Sequence, residues 1–299
     1  MTRDTTAGAD GEGASYESHP ARRLWAGVEP IHALVYFAPE VSDAATEAGL
    51  KGWFMGYFAG RAAPLGAIGP EAVGAMFFGF APEKVARALP DAWSFASPRE
   101  VLDSRLDAVD RALARALPAD VDLTRLATLL EHAAGSCDFG ARPLAAAWSG
   151  VRLPDDAHPR LRVWLAATVL REHRGDGHVF TAVDHGLDGL QASVTHAAAG
   201  LAPGQRLLVS RGWTEKQWER ALVDLIGRGV LDTDGNLTEA GVALRDSVER
   251  STNRLASAPV RALGEYAAEE AIALATPLAR HLIDTEAVPV PNPIGVTRP

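Results

Sequence analysis

The densest group of side chains that could carry chemistry runs from Arg171 to His178. His173 and His178 lie five positions apart, with Asp176 between them. An imidazole titrates near neutral pH, so His173, His178 and Asp176 are candidate catalytic residues for acid–base chemistry. Imidazole and carboxylate groups also suit metals, but the spacing matches no zinc motif and we predict no metal ligands. A structural interpretation stays open, because His and Arg near a helix end stabilise the helix dipole.

A turn is predicted within this segment. Gly175-Asp176-Gly177 follows an amphipathic stretch at 161–170, and Gly-Asp-Gly is a turn signal. We therefore expect one helix to end here and another to start. Arg171, Glu172 and Arg174 would then surround a helix end that could bind a ligand.

A second group combines an indole, a phenol and a guanidinium. Trp53, Tyr57 and Arg61 are spaced four apart and would share one face of a helix. The aromatic rings could stack on a planar ligand while the arginine holds an anionic group. The alternative is a core helix whose arginine caps the following turn.

His32 and Tyr36 form a third group, one helical turn apart in an apolar stretch. Such a pair is often a satisfied hydrogen bond inside a core. It could also point into a pocket shared with the groups above, because the repeat described below relates their helices. The candidate ligand-binding residues are His32, Tyr36, Trp53, Tyr57, Arg61, Arg171, Glu172 and Arg174.

Composition limits the classes of protein that could use these residues. The chain has 299 residues, 47% of them hydrophobic, and a formal net charge of −9. This charge argues against a general binder of polyanions. The single Cys137 excludes an internal disulfide and Cys-rich metal sites. No apolar run is long enough to span a membrane and no signal region is visible, so we expect a cytoplasmic protein. No cofactor can be named.

Apolar residues recur at three- and four-residue spacing along most of the chain, which predicts a mainly α fold. The only strand candidates are 207–210 and 230–238. Residues 1–19 are polar and Gly-rich, and we expect a disordered tail. Residues 287–299 are rich in proline and predict an extended tail.

One C-terminal segment, 212–250, has a specific order of features. Thr214 can cap a helix, and Gly227 and Gly229 can end it. A hairpin turning at Asp234-Gly235 and a second cap at Thr238 follow. Over about residues 180–255 this order resembles the winged helix-turn-helix of MarR-type regulators. The resemblance implies a recognition helix that would read DNA through Lys216, Gln217 and Arg220.

An internal repeat extends this pattern to the rest of the chain. Three segments parallel later ones in order and spacing: 46–66 with 183–203, 81–89 with 213–222, and 97–113 with 237–255. We therefore expect two tandem winged-helix-like halves from duplication, at 20–118 and 159–286, joined by a helical linker at 119–158. The first half lacks a wing, and the second has at most a small β-wing. The whole chain resembles an actinobacterial family of helix-turn-helix-related proteins, which implies the fold rather than an activity.

The local charge disfavours DNA binding. Residues 211–254 hold seven basic and eight acidic side chains. The predicted wing carries Asp232 and Asp234 and no base, and these carboxylates would repel phosphate. The first hypothesis is therefore a small-molecule-binding protein for sensing, sequestration or self-resistance toward a planar or natural-product-like ligand. The alternatives are a MarR-like transcription regulator and, less favoured, an enzyme using His173 or His178. The chain could be a monomer or a homodimer.

Overall fold

Fifteen α-helices make up most of residues 15–299, the part of the chain that the computed structural model describes. In chain order they are α1 Pro20–Ala33, α2 Pro39–Glu47, α3 Gly52–Ala62, α4 Pro70–Met76, α5 Pro82–Ala86, α6 Ala92–Phe95, α7 Pro98–Ala116, α8 Thr124–Gly135, α9 Pro143–Ser149, α10 Pro159–Asp184, α11 Gly189–Ala198, α12 Gly204–Arg211, α13 Glu215–Gly227, α14 Glu239–Leu255 and α15 Ser257–Asp284. The mainly α class is confirmed. Within the described residues, no helix combines the length and apolarity needed to span a membrane.

The two strand candidates have different outcomes. Residues 207–210 lie in α12, so the prediction of a strand there was wrong. A short apolar run does not distinguish a strand from a helix; here Leu207 is buried while Val209 is exposed. In the segment 230–238, a single antiparallel bridge joins Leu231 to Leu237, forming a minimal wing.

The longest uninterrupted helix corrects the predicted turn at Gly175-Asp176-Gly177. α10 continues through all three residues. Gly177 serves close packing instead: a Cβ there would lie 2.7 Å from Nη1 of Arg142. The Arg142 guanidinium uses that space to donate hydrogen bonds to the carbonyls of His173 and Leu255. A rule that predicts turns from the local sequence takes no account of Arg142, which is distant in the sequence.

Buried side chains form two hydrophobic cores. The larger core gathers residues from α1 to α10 and from α15 onward, and we call this part the main body. The smaller core gathers residues between Ala182 and Leu231 from α10 to the wing. We call the unit formed by α11–α14 and the wing the winged-helix module. α15 leaves the module and packs on α1 and α8 of the main body.

The module is fixed to the main body along the segment 77–81. The amide of Ala81 donates to the carbonyl of Arg211 at 2.9 Å, and Trp213 Nε1 donates to the carbonyl of Gly79 at 2.9 Å. Gly189 starts α11 directly against this segment, and a Cβ there would lie 1.7 Å from the carbonyl oxygen of Phe78. Only glycine permits this close approach.

Caps define the helices of the module as the sequence predicts. The Thr214 hydroxyl accepts a hydrogen bond from the amide of Gln217, and Gln217 Oε1 accepts one from the amide of Thr214. This is a capping box. Thr238 caps α14 by accepting from the amide of Gly241 at 3.0 Å.

We expect Thr214→Ala to lower the free energy of unfolding by about 1 kcal/mol, because the first turn of α13 loses its cap. Urea denaturation measures this change. Thr214→Ser keeps the hydroxyl and should retain nearly all of the stability. Equal losses in the two variants would contradict the role of the cap.

Both ends of the described chain are ordered against the protein. Of the predicted disordered tail, residues 1–14 lie outside the described residues, whereas Tyr16–Ser18 form a 3-10 turn. The carbonyl of Tyr16 accepts from Asn253 Nδ2 at 2.9 Å. The C-terminal tail, residues 287–299, has no helix, as its prolines suggested. It folds back and buries Val288 and Val296.

Candidate ligand-binding cavity

A cavity of about 320 Å³ lies where the main body meets the winged-helix module. The main body contributes residues from α1, α3 and α10 and the segment 76–80. The module contributes residues from α11, α12 and α14, and Pro293–Gly295 of the C-terminal tail close one side. Its volume falls in the range of small-molecule sites.

The structure brings six of the predicted site residues to this cavity. These are Tyr57, Arg61, Arg171, Arg174, Asp176 and His178. The other five, His32, Tyr36, Trp53, Glu172 and His173, do not line it. The lining therefore combines residues from two of the three predicted groups and excludes the third.

A buried carboxylate holds two of the cavity arginines. Glu172 is fully buried, and Arg61 donates to it through Nε at 2.9 Å and Nη2 at 2.7 Å. Arg171 Nη1 donates to the same carboxylate at 2.9 Å. Burial alone would raise the pKa of Glu172, but Arg171 and Arg61 hold it well below its usual range. Glu172 therefore positions arginines instead of contacting a ligand.

A second ion-pair group lies on the side of the module. Arg174 Nη2 donates to Glu249 Oε2 at 2.9 Å, and its Nη1 donates to Asn253 Oδ1 at 2.8 Å. Burial lowers the pKa of Arg174 to about 10 although Glu249 opposes the shift. Arg22 approaches Glu249 at 3.5 Å. This group joins α1, α10 and α14 at the edge of the cavity.

Arg211 differs from the other cavity arginines because no carboxylate among the described residues forms an ion pair with it. Its Nη2 donates to the carbonyl of Pro293 at 2.9 Å, and its guanidinium lies 4.4 Å from the ring centre of Phe80. Burial lowers the pKa of Arg211. In the sequence, Arg211 is only one of the seven basic residues of the segment 211–254. Its partners are distant in sequence, so no local spacing indicated its position.

The pKa of the Tyr57 hydroxyl indicates that the electrostatic potential in the cavity is positive. It accepts a hydrogen bond from Arg61 Nη1 at 3.1 Å. Burial alone would raise the pKa of Tyr57, but Arg61, Arg211 and Arg171 outweigh it and lower the pKa. A neutral tyrosine whose ionised form is stabilised marks a place where negative charge is favoured.

Aromatic rings line the cavity between the arginines. They belong to Trp25, Tyr57, Phe77, Phe78 and Phe80. The Arg61 guanidinium lies 4.2 Å from the ring centre of Phe77, and that of Arg174 lies 5.3 Å from Trp25. Charged groups are thus placed over ring faces, where cation–π attraction is favourable.

The His32–Tyr36 pair is part of the main core. His32 is 1% exposed, and its ring nitrogens share hydrogen bonds with Tyr36 and Thr168, both at 2.9 Å. Burial lowers the pKa of His32 well below its usual value. The one-turn contact predicted from spacing exists, but both side chains are satisfied inside the protein. Trp53 stacks on Tyr57 with ring centres 5.2 Å apart, and it lines a second, smaller cavity instead of this one.

The two histidines of α10 do not meet. His178 lines the cavity and shares a hydrogen bond with Thr252 at 3.1 Å. His173 lies elsewhere, among Leu24, Val28 and Leu170. Burial lowers the pKa of His173 to about 4, and its Nε2 has no partner within residues 15–299. They therefore do not form a joint acid–base pair.

Asp176 has a structural contact that its position in the sequence does not indicate. Its Oδ2 accepts from the amide of Ala145 at 3.1 Å, in the first turn of α9. Burial raises the pKa of Asp176 to about 6 although this hydrogen bond lowers it. In the part of the chain that the structure describes, no group of three or more His, Cys, Asp and Glu side chains could hold a metal ion.

The predicted recognition helix, α13, is on the surface of the module. Lys216 and Arg220 are exposed, as are Glu215 and Glu219 beside them. Gln217 is occupied by the capping box. The exposed face of α13 thus carries both positive and negative side chains, with no excess of positive charge.

Comparison with known proteins identifies the class. Residues 21–289 match the model of a helix-turn-helix family, and the chain belongs to that family. No characterised protein matches the chain significantly. No solved structure does so either. The family membership agrees with the helix-turn-helix elements of the module described above.

Proposed function

We propose that this helix-turn-helix protein binds a small organic anion with a flat apolar body in the cavity between the main body and the module. The observation that carries the proposal is Arg211, which is partly buried, lines an aromatic cavity and forms no ion pair with a carboxylate among the described residues. A charge that is partly removed from water without a counter-ion is unfavourable. An anionic ligand would supply the missing partner.

The charge of the lining supports an anion. Five arginines line the cavity, against the three carboxylates Glu29, Asp176 and Glu249. Burial raises the pKa of Glu29 and that of Asp176, so both carboxyl groups are protonated more readily than free ones as the pH falls. The lowered pKa of Tyr57 is consistent with the resulting positive potential.

The shape of the lining supports a flat body. The five aromatic side chains offer ring faces and edges on the side of the main body. Apolar walls with a few placed polar groups are typical of small-molecule sites. A planar aromatic or polyketide-like acid would satisfy both the charge and the rings.

The position of the cavity favours sensing. Arg211 belongs to α12 and Glu249 to α14, while Tyr57 and Arg61 belong to the main body. A ligand would touch both units at once. If the ligand bound one arrangement of the module more tightly than another, it would shift the population of the protein toward that arrangement.

We also propose that the two halves arose by duplication. Gly49 and Gly186 end α2 and α10 with positive φ angles of 85° and 71°. In each case the next residue, Leu50 or Leu187, donates its amide to a carbonyl five residues earlier. Shared helix ends of this kind support the repeat seen in the sequence.

The probe 1-anilinonaphthalene-8-sulfonate tests the proposed ligand class, because it is a flat aromatic anion that fluoresces when bound. Its uncharged analogue, N-phenyl-1-naphthylamine, lacks only the sulfonate. We expect saturable binding of the anion at one site and binding of the analogue weaker by at least about tenfold, or about 1.4 kcal/mol. Equal affinities would contradict an anion site.

DNA binding is a second candidate, and the family membership favours it. Lys216 and Arg220 on α13 would contact the duplex. A mobility shift of genomic fragments at low salt should then disappear in the double variant Lys216→Gln, Arg220→Gln. No shift at about 50 mM salt would exclude this function, since phosphate contacts are strongest there.

A further inference from the structure

A second, smaller cavity of about 110 Å³ lies between α2 and α3, beside the turn Leu34–Tyr36. Its walls are mainly apolar and aromatic, with Val35, Val41 and Tyr36 on one side. Trp53 lies at the mouth and is 49% exposed. Tyr57 touches both cavities, but the arginines of the larger cavity do not line this one.

The one charged side chain that lines the smaller cavity is Arg105, from α7. It is 5% exposed, and its Nε and Nη2 have no hydrogen-bond partner among residues 15–299. The fold makes room for it, because a Cβ on Gly60 would lie 2.6 Å from Nη1 of Arg105. The guanidinium is therefore accommodated by packing yet lacks acceptors.

The electrostatic surroundings of Arg105 do not compensate its charge. The carboxylate that acts on it, Glu172, is already held by Arg61 and Arg171. The nearest aromatic ring, that of Tyr36, has its centre 6.0 Å from the guanidinium carbon. Burial accordingly lowers the pKa of Arg105. A buried guanidinium without a counter-ion is strongly unfavourable, and an anion from outside would relieve this.

We propose that the smaller cavity binds a short-chain monocarboxylate, which forms an ion pair with the guanidinium of Arg105. Nε and Nη2 lie on the edge of the guanidinium that matches a carboxylate in a bidentate pair. Each of the two atoms has less than 1 Å² of accessible surface, so the side chain turns toward the cavity when this pair forms. The apolar walls would contact the hydrocarbon part of the acid. This site is separate from the proposed function of the larger cavity.

The volume of the smaller cavity and its single charged group limit the class of ligand further. An apolar cavity of about 150 Å³ holds benzene, so 110 Å³ suits a carboxylate with a body of a few carbons. A dianion such as phosphate would need more donors than one guanidinium edge supplies. Ser42 and Thr46 add two hydroxyl groups to the lining, and neither is charged.

Thermal unfolding with propanoate tests the site on the full chain. We expect propanoate to raise Tm saturably by about 2–4 °C at concentrations well above its Kd. Propanamide, which has the same size without the charge, should leave Tm unchanged, as should chloride at equal ionic strength. Equal shifts with propanoate and chloride would overturn the proposal, and this comparison needs no variant.

The variant Arg105→Met locates the effect, with Arg111→Met as the control because Arg111 is exposed on the same helix. Without ligand, Arg105→Met should be at least as stable as the parent, since it removes an uncompensated buried charge. It should lose the response to propanoate, while Arg111→Met keeps it. A full propanoate response in Arg105→Met would overturn the proposal. Binding of 1-anilinonaphthalene-8-sulfonate should be unchanged in both variants, which separates this site from the larger cavity.

Discussion

Replacing Glu172 by glutamine is expected to lower the free energy of unfolding by about 3–5 kcal/mol. The carboxylate is fully buried and is the shared acceptor of Arg61 and Arg171. Glutamine nearly preserves its shape but leaves Arg61 without a negative partner and Arg171 with only its 3.4 Å contact to Glu29. Denaturation in urea or guanidinium chloride, followed by circular dichroism, measures the loss.

The matched control for this change is Glu131→Gln. Arg162 donates to Glu131 through Nε at 2.8 Å and Nη2 at 2.6 Å, the same fork that Arg61 uses. That pair is partly exposed, with 34% and 41% of the two side chains accessible. Exposed pairs contribute about 0–1 kcal/mol. Losses of similar size in the two variants would contradict the central place of Glu172.

Asp176→Asn is expected to stabilise the protein at neutral pH by about 1–3 kcal/mol. Burial raises the pKa of Asp176 from 3.8 to about 6, and each pKa unit corresponds to about 1.4 kcal/mol. The raised pKa means that stability from the protonated carboxyl is present below about pH 4 and is lost as the pH rises through 6. Asparagine stays neutral and can still accept from the amide of Ala145.

The measurement is the difference in stability between Asp176→Asn and the parent across this pH range. We expect the difference to grow in favour of the variant from about pH 4.5 to pH 7.5. Asp120→Asn, at an exposed position, serves as the control and should show no such trend. A variant that is less stable at every pH would mean that the charge at the start of α9 is stabilising.

Local patterns in the sequence predicted local structure well. The caps at Thr214 and Thr238, the contact of His32 with Tyr36 and that of Tyr57 with Arg61 all join residues at most four apart. Helix geometry alone fixes which residues meet at such spacing. The mainly α class follows from the same periodicity.

Contacts between distant residues were not predictable from spacing. Arg61 and Glu172 are 111 positions apart, and Arg211 meets Pro293 across 82 positions. Arg142 packs against Gly177 of α10 and donates to the carbonyl of His173, a contact across 31 positions that no local rule includes. The sequence predicts Arg61, Arg171 and Arg174 as site residues, whereas the positions of Arg22, Arg211 and Arg105 follow only from the fold.

The most direct test of the cavity is the binding of 1-anilinonaphthalene-8-sulfonate to Arg211→Gln and to Arg206→Gln. Both arginines lie in α12 and donate to carbonyls of the C-terminal tail at 2.9 Å, yet only Arg211 lines the cavity. We expect Arg211→Gln to weaken binding of the anion at least about tenfold and to leave the uncharged analogue unaffected. Arg206→Gln should bind like the parent. If both variants bind the anion as the parent does, Arg211 does not hold the ligand and the proposed site is contradicted.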